Sequence, residues 1–521
     1  MTGKPLLLLA ALAIATLPPG PAGASLALAQ PGPGAASHAT PRAAEPRAVR
    51  LARLEGERRS LSAEAEAMRR QQASAGSPAA QARIAELEQR VADLEAEITK
   101  LRAETLRSVP GTQTPADPVG LQPVDPLGQA GQVTAGNSFN PAITVIPDGV
   151  YYNDNRDGAA PEIAEGAAGF DLHGAEAGGH GHGALERGFN LRELEVTFSG
   201  SVDPYFDAWA ILAVGGGELE IEEAFVQTRK LIPGLQLKFG KFYSGVGYLN
   251  RQHPHQWDFV DQALPYEGLF GGAINEVGVQ VNWLPSLPVY TLFGFEALQG
   301  ENEGVSRHLG AETSPFLREA AGPRLFTGFV KVSPDIGYAG ALQVGASLGY
   351  SRQHQELHAE EAEPESLEGS VTFFGLDAVY RYDSGRQWGV GDLTLQGEYF
   401  RRGKSLDVVG AGADPVTGIV REYAQDGLYL QGVYGFAPRW TAGLRFDTLG
   451  LLNRVDEGAE RLEAEASRRY SASLTFNPTE FSRLRFQFTR GDFAGASERA
   501  TYHQVWVQFQ VSLGVHGAHR F

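Results

Sequence analysis

Regular alternation of apolar with polar or small residues most narrowly limits what this chain can fold into. It recurs from residue 142 to the end, for example over residues 440–447 and 505–515. Alternation of this kind places apolar side chains on one face of a β-strand and polar side chains on the other. We predict about sixteen strands of roughly 9–14 residues, joined by tight turns and by long loops in alternation. The long loops include residues 353–369, 403–420 and 451–465.

An even number of such strands predicts an all-β fold, namely a transmembrane antiparallel β-barrel of about 16 strands. Backbone groups in hydrocarbon must all be hydrogen-bonded, and a closed sheet leaves no edge unpaired. After the N-terminal segment, no run reaches the apolar length of about 18 residues that a membrane-spanning helix needs. A soluble β-sandwich has the same alternation and is the alternative fold.

Composition argues against a soluble enzyme. The 521 residues include 64 Gly, 17 Tyr and 27 Phe, and only 42% are apolar. With 44 Lys and Arg against 62 Asp and Glu, the net charge of −18 disfavours nucleic acid as a partner. The chain has no cysteine, which excludes thiolate metal sites, disulfides and Cys nucleophiles. Because no nucleophile elbow, phosphate-binding loop or metalloprotease helix occurs, we predict that the protein is not an enzyme.

Three segments precede the barrel, which we assign to residues 142–521. Lys4, the largely apolar residues 6–17 and a small-residue cleavage site predict a signal peptide over residues 1–29. Residues 45–107 are predicted to form an α-helical coiled coil, because apolar residues repeat at spacings of three and four. The repeating residues are Ile84, Leu87, Val91, Leu94, Ile98 and Leu101. A lone amphipathic helix is the alternative, and the Pro- and Gly-rich residues 108–141 form a linker.

Several segments resemble one family of bacterial outer-membrane proteins. The longest covers residues 239–250 together with His253, His255 and residues 257–261. Shorter similar segments are residues 140–143, 148–151, 202–204 and 514–521. All are similar to proteins described as zinc-regulated TonB-dependent outer-membrane receptors, which look related to phosphate-selective porins.

The resemblance implies a place in the outer membrane of a Gram-negative bacterium. An even number of strands puts both ends of the barrel on the periplasmic side, so we expect the coiled coil in the periplasm. The resemblance also implies contact with outer-membrane lipid, insertion by the barrel-assembly machinery and a porin-like trimer, although the heptads alone favour a dimer. For a receptor it implies an energy-coupling periplasmic partner. Such receptors have 22-stranded barrels with a plug in the lumen, whereas this sequence has about sixteen strands and no globular plug pattern.

We therefore predict a porin-like outer-membrane channel for small solutes or ions, with zinc uptake as one candidate function. One alternative is a TonB-dependent receptor for a metal or a metal complex. Another is a structural outer-membrane tether that acts through the coiled coil. No cofactor is required in any of these interpretations, and zinc enters only as a transported or bound ion.

The loop over residues 244–273 is the candidate pore constriction, because it is long enough to fold into the lumen. Its candidate residues are His253, His255, Trp257, Asp258, Asp261, Tyr266 and Glu267. Two histidines followed closely by Asp258 and Asp261 offer the nitrogen and oxygen ligands that Zn²⁺ accepts. The alternative is a loop that only packs, with Trp257 and Phe259 holding it to the wall.

Two further groups of residues complete the candidate site. The Gly-rich loop 153–187 contributes the metal-ligand candidates His173, His180 and His182, which an unstructured surface loop explains equally well. Strand alternation places charges of both signs in the lumen. These are Glu193, Glu195, Lys238, Glu398, Arg445, Asp447, Arg483 and Arg485. They form no dominant basic ladder of the kind that a phosphate channel needs, and the acidic balance favours cations.

Overall fold

The computed structural model describes residues 141–170, 185–215, 218–229, 232–358, 364–495 and 498–514, with eight single positions between 61 and 93. Those eight positions are helical, and in this segment Arg83 Nη1 lies 2.8 Å from Glu86 Oε2. The predicted signal peptide, most of the coiled coil and nearly all of the linker lie outside the described residues. Residues 1–114 and 115–521 form two separate compact units.

The described part of the second unit forms one closed antiparallel sheet. Its first nine strands are β1 Ala142–Asp154, β2 Gly188–Ser201, β3 Phe206–Gly215, β4 Glu218–Thr228, β5 Leu235–Tyr243, β6 Asn275–Trp283, β7 Tyr290–Leu298, β8 Leu325–Ser333 and β9 Gly340–His358. The next five are β10 Glu365–Tyr382, β11 Leu393–Ala411, β12 Asp414–Pro415, β13 Val420–Ala437 and β14 Trp440–Glu457. The last five are β15 Glu460–Glu463, β16 Ser467–Thr479, β17 Ser482–Ala494, β18 Arg499–Val511 and β19 Leu513–Gly514.

Closure comes from the pairing of β1 with β2 on one side and with β18 on the other. Strands β12, β15 and β19 are short, so sixteen of the strands in the described residues build the wall. The predicted sixteen-stranded antiparallel barrel is confirmed. Three short α-helices lie in the described parts of its connections: α1 Ala160–Glu165, α2 Leu264–Phe270 and α3 Gly310–Thr313. No helix in the described part of the chain is long and apolar enough to span a bilayer.

The barrel wall is much taller on one side than on the other. Strands β5 to β8 have 9 residues each, whereas β9 has 19 and β10 has 18. At about 3.3 Å per residue, the difference is roughly 30 Å along a strand. The long loops predicted at residues 353–369, 403–420 and 451–465 are therefore wrong, because strands occupy most of them.

The physical reason is that alternation reverses in the projecting part of the wall. There the inward side chains Leu367, Leu406 and Val408 form a small buried apolar cluster. Lower down, the inward side chains are polar and the apolar ones point outward. The strands were predicted from the sequence with apolar residues on the outward face. In the projecting part the apolar residues are on the inward face, so those strands were interpreted as loops.

Outside the projecting part, the outer surface of the barrel wall is apolar and the inner surface is polar. Phe239, Phe295, Leu348, Leu444 and Phe509 are all exposed large apolar residues of different strands. Buried residues of the same strands include many glutamines, serines, threonines and arginines. A soluble β-sandwich buries its apolar faces, so this distribution excludes the alternative fold and suits a hydrocarbon environment.

We expect Leu444→Arg to reduce the stability of the inserted barrel by about 2–4 kcal/mol, because charge would face hydrocarbon near its middle. Leu462→Arg is a matched control, since Leu462 is 72% exposed and Leu444 is 70% exposed. Leu462 lies instead on the charged hairpin strand β15, beside Arg461 and Glu463. Urea-dependent refolding into lipid vesicles, followed by the heat-modifiable gel band, measures both. Equal losses would contradict the lipid-facing assignment.

Candidate functional site

Residues 244–274, the connection between β5 and β6, lie inside the barrel and are here called the lumen loop. Their apolar side chains are buried and pack with inward-facing wall residues such as Phe400 and Tyr429. The buried loop residues of this core are Val246, Leu249, Trp257, Ala263, Leu264, Tyr266, Leu269, Phe270 and Ile274. The lumen loop is therefore a folded part of the barrel interior.

A glycine and a wall carboxylate fix the start of the lumen loop. Gly247 has a φ of +63°, and a Cβ there would lie 2.2 Å from the Tyr266 hydroxyl. The next two backbone N–H groups, of Tyr248 and Leu249, donate to the two oxygens of Glu398 at 2.7 and 2.9 Å. The backbone thus approaches the wall closely enough for Glu398 to accept from consecutive amides.

Six wall arginines donate to backbone carbonyls of the lumen loop. The pairs are Arg192 with Val260, Arg402 with Leu269, Arg445 with Asp261, Arg469 with Gln262, Arg483 with His255 and Arg485 with Trp257. Apart from the Arg192 contact, the nitrogen–oxygen distances are 2.5–2.9 Å. Hydrogen bonds from charged donors contribute about 1.5–3 kcal/mol each. The loop is therefore held from several strands at once.

The structure divides the four residues predicted as zinc ligands into two groups. Asp258 accepts a hydrogen bond from Gln431 Nε2 at 2.9 Å. Asp261 lies 2.9 Å from Arg445 Nη2. Among the described contacts, neither aspartate meets a histidine. Arg445 already supplies the positive charge that a metal ion would offer to Asp261.

The other predicted residues of the constriction make packing and hydrogen-bonding contacts. The Tyr266 hydroxyl donates to Glu398 Oε2 at 2.8 Å. Glu267 lies 2.9 Å from Arg469 Nη1. Trp257 is buried, and its indole N–H donates to a backbone carbonyl of the loop at 3.0 Å. These contacts hold the loop in place.

The two histidines face glutamates of β2 and β4. His253 Nδ1 lies 3.1 Å from Glu222 Oε2, and His253 Nε2 lies 3.0 Å from Glu223 Oε2. His255 Nδ1 lies 2.9 Å from Glu195 Oε2. All five side chains are buried. We call Glu195, Glu222, Glu223, His253 and His255 the acid–histidine cluster.

A β-bulge explains why consecutive glutamates of β4 both face the lumen. Ile211 of β3 pairs with Glu223 and Leu212 pairs with Ile221, which leaves Glu222 as the extra residue. An extra residue interrupts alternation and re-aims its side chain. Strict alternation therefore selected neither Glu222 nor Glu223 from the sequence. The adjacent pair of acids within a strand was the signal that could have found them.

The charged residues predicted to face the lumen are inside the barrel. Seven are buried, namely Glu193, Glu195, Glu398, Arg445, Asp447, Arg483 and Arg485. Lys238 Nζ lies 4.5 Å from the centre of the Phe225 ring, which also faces inward. The candidates His173, His180 and His182 lie outside the described residues.

Comparison with known proteins identifies a relative of this chain. No protein-family model matches it. An uncharacterized protein of Aquifex aeolicus (strain VF5) is 35% identical over 411 residues, covering 77% of this chain and 83% of the Aquifex protein. The chain belongs to the family of that protein. The alignment extends into the barrel region, because 411 residues are more than the segments before residue 142 contain.

Solved outer-membrane proteins are among the structures that the fold is similar to. OmpT of Vibrio cholerae, folded in vitro, has a TM-score of 0.44 and 8% identity, covering 73% of this chain and 100% of that chain. An anion-selective porin from Comamonas acidovorans has a TM-score of 0.44 and 10% identity, covering 72% and 99%. The closed pairing of the strands establishes the barrel independently of these likenesses. The strand pairing confirms the barrel that the resemblance implies, whereas zinc regulation and TonB dependence stay predictions.

We expect Arg469→Met to lower the free energy of unfolding by about 1–3 kcal/mol, because Glu267 loses its cation while Asp261 and Asp447 keep only Arg445. Arg469 lies 2.9–3.6 Å from carboxylate oxygens of Glu267, Asp261 and Asp447. Arg468→Met is the control, since Arg468 is the preceding residue of β16 and is exposed. Denaturant titration in lipid vesicles compares the variants. A loss as large for Arg468→Met would contradict the structural role of this network.

Proposed function

We propose that the protein is a porin-like outer-membrane channel for small hydrophilic solutes. One observation carries the proposal: a closed sheet of sixteen long strands has apolar side chains outside and polar side chains inside. Hydrocarbon stabilises the first surface, and water in the lumen stabilises the second. Barrels with this number of strands are wide enough to enclose an aqueous channel. In such barrels the short turns face the periplasm and the long loops face outward.

We further propose that the narrow part of this channel prefers cations. The lumen loop occupies the interior and limits the size of a passing solute. Beside it, the acid–histidine cluster brings three buried carboxylates together on β2 and β4. Rings of carboxylates are the usual basis of cation selectivity in pores. Divalent cations, zinc included, are therefore the solutes that we propose first.

A gated channel is the second candidate, and the arginine contacts of the lumen loop favour it. Widening the path past this loop requires several charged hydrogen bonds to break together. An energised partner could supply that work, but TonB-dependent barrels of the usual kind have 22 strands. Energy coupling, a trimer, the barrel-assembly machinery and a periplasmic coiled coil all stay predictions.

Planar-bilayer recording of the purified full-length chain tests the proposal. Steady conductance with cation preference is the expected result for an open porin-like channel. Conductance that appears only when the arginine contacts are weakened identifies the gated channel. Absence of conductance both in the parent chain and in variants with weakened arginine contacts overturns the channel proposal. The structural tether is then the better hypothesis.

We expect the double change Arg483→Gln with Arg485→Gln to raise conductance or the frequency of opening. The carbonyls of His255 and Trp257 would lose their charged donors, so the lumen loop would be held less tightly. Arg490→Gln is the control because Arg490 is an exposed residue of the same strand, β17. Single-channel recording at matched protein insertion measures all three proteins. Unchanged conductance in a folded double variant would contradict the loop as the constriction.

A further inference from the structure

We infer that the acid–histidine cluster binds a divalent transition-metal cation through Glu195 Oε2, Glu222 Oε2 and His253 Nδ1. The ligand set differs from the one that the sequence predicts, because two wall glutamates replace Asp258 and Asp261. The inference deepens the proposed channel function and rests on it for the route by which the ion enters the barrel. Binding itself is measurable without a membrane.

The distances between the ligand atoms suit a metal ion. One ligand atom from each of Glu195, Glu222 and His253 lies within 4.8 Å of the other two. Tetrahedral Zn²⁺ has nitrogen and oxygen ligands at about 2.0–2.2 Å, which places neighbouring ligand atoms roughly 3.3–3.6 Å apart. His253 Nδ1 lies 3.1 Å from Glu222 Oε2 and 3.4 Å from Glu195 Oε2. An ion therefore fits with small movements of the side chains.

Each ligand residue is held by a partner on its other polar atom. Thr197 Oγ1 donates to Glu195 Oε1 at 2.8 Å, and the Tyr243 hydroxyl donates to Glu222 Oε1 at 2.8 Å. His253 Nε2 lies 3.0 Å from Glu223 Oε2. Metal-binding histidines usually donate their second ring N–H to a carboxylate, and metal-binding carboxylates are themselves hydrogen-bonded. These partners turn Glu195 Oε2, Glu222 Oε2 and His253 Nδ1 toward one another.

The charge balance of the cluster also favours a bound cation. Glu193 is buried beside Glu195, so four glutamates share this part of the interior with two imidazoles. The nearest arginine of β2, Arg192, already pairs with Asp148 and donates to a loop carbonyl. Lys238 lies over the Phe225 ring, and both Lys238 and Arg251 line a cavity of about 30 Å³ that Glu223 and His253 also line. Buried carboxylates need compensating positive charge, and a dication supplies two units of it.

A mixed nitrogen and oxygen ligand set selects among metals. Imidazole suits Zn²⁺ and its transition-metal neighbours, whereas Ca²⁺ and Mg²⁺ prefer ligands that are all oxygen. A fourth ligand is within reach, because His255 Nδ1 lies 2.9 Å from Glu195 Oε2. With His255 the set reaches the four ligands that Zn²⁺ usually takes.

Calorimetric titration of the detergent-solubilised, chelator-treated full-length chain with Zn²⁺ tests the inference. Substituting His173, His180 and His182 by alanine in every protein removes competing imidazoles of the first loop. We expect one Zn²⁺ per chain, and binding at least roughly tenfold weaker in Glu195→Gln, Glu222→Gln and His253→Gln. Glu223→Gln should weaken binding by about 10–100-fold, as expected for a carboxylate that orients a metal ligand.

Asp258→Asn is the matched control, because Asp258 contacts Gln431 and lies outside the inferred ligand set. Its zinc affinity should equal that of the parent protein. Absence of zinc binding by the parent overturns the inference, as does an equal loss in Asp258→Asn or equally tight binding of Ca²⁺. The heat-modifiable gel band shows that each variant is folded, and the Gln variants keep the size of the side chains that they replace.

The two proposals fail in different ways. A barrel that binds zinc in detergent but never conducts in a bilayer contradicts the channel and leaves the metal site intact. A conducting barrel whose zinc affinity is unaffected by Glu222→Gln contradicts the metal site and leaves the channel intact.

Discussion

The closed ladder between β1 and β18 is the constraint on which the rest of this structure depends. Peptide groups in hydrocarbon have no water to bond with, so a sheet that crosses a membrane must leave no edge. Closure also decides the two faces of every strand, because one face must meet lipid and the other must meet the lumen. The polar side chains that gather inside the barrel are a consequence of that division. Without closure, neither the lumen loop nor the acid–histidine cluster has a surface to contact.

Filling the interior raises a second hydrogen-bonding requirement. The wall strands use their backbone groups in the ladder, so the lumen loop cannot satisfy its own backbone by pairing with them. Side chains of the wall must do so instead. Arginine suits this role because it is long, stays charged and carries five donors in a fixed geometry. Arg483 and Arg485 on β17 each reach a loop carbonyl, while Glu398 accepts from two loop amides. Much of the charge in the lumen therefore serves the loop rather than a passing ion.

The sequence predicted the fold better than the site. Alternation revealed the sixteen strands, and the inward charges such as Glu195 and Arg485 followed from it. The tall part of the wall was missed because its alternation is reversed, with Leu406 and Val408 buried inside. The partners of His253, Glu222 and Glu223, were missed because a β-bulge in β4 breaks the strict alternation there. Sequence proximity instead suggested Asp258 and Asp261, which contact Gln431 and Arg445. Distant strands meet across a barrel in ways that a linear pattern does not encode.

Bulges give this barrel more inward-facing charge than alternation allows. One bulge adds Arg192 on β2, where Asp148 pairs with Glu193 and Gly149 pairs with Leu191. Another adds Glu222 on β4. The first residue contacts the lumen loop through the carbonyl of Val260, and the second contacts it through His253. Because the wall supplies the glutamates and the loop supplies the imidazole, a metal ion bound between them links the loop to β2 and β4. Binding of the ion and the position of the loop then influence each other reciprocally, as linkage requires. In the proposed channel, an ion bound at this site would hold the loop in place and narrow the path, and its release would favour opening.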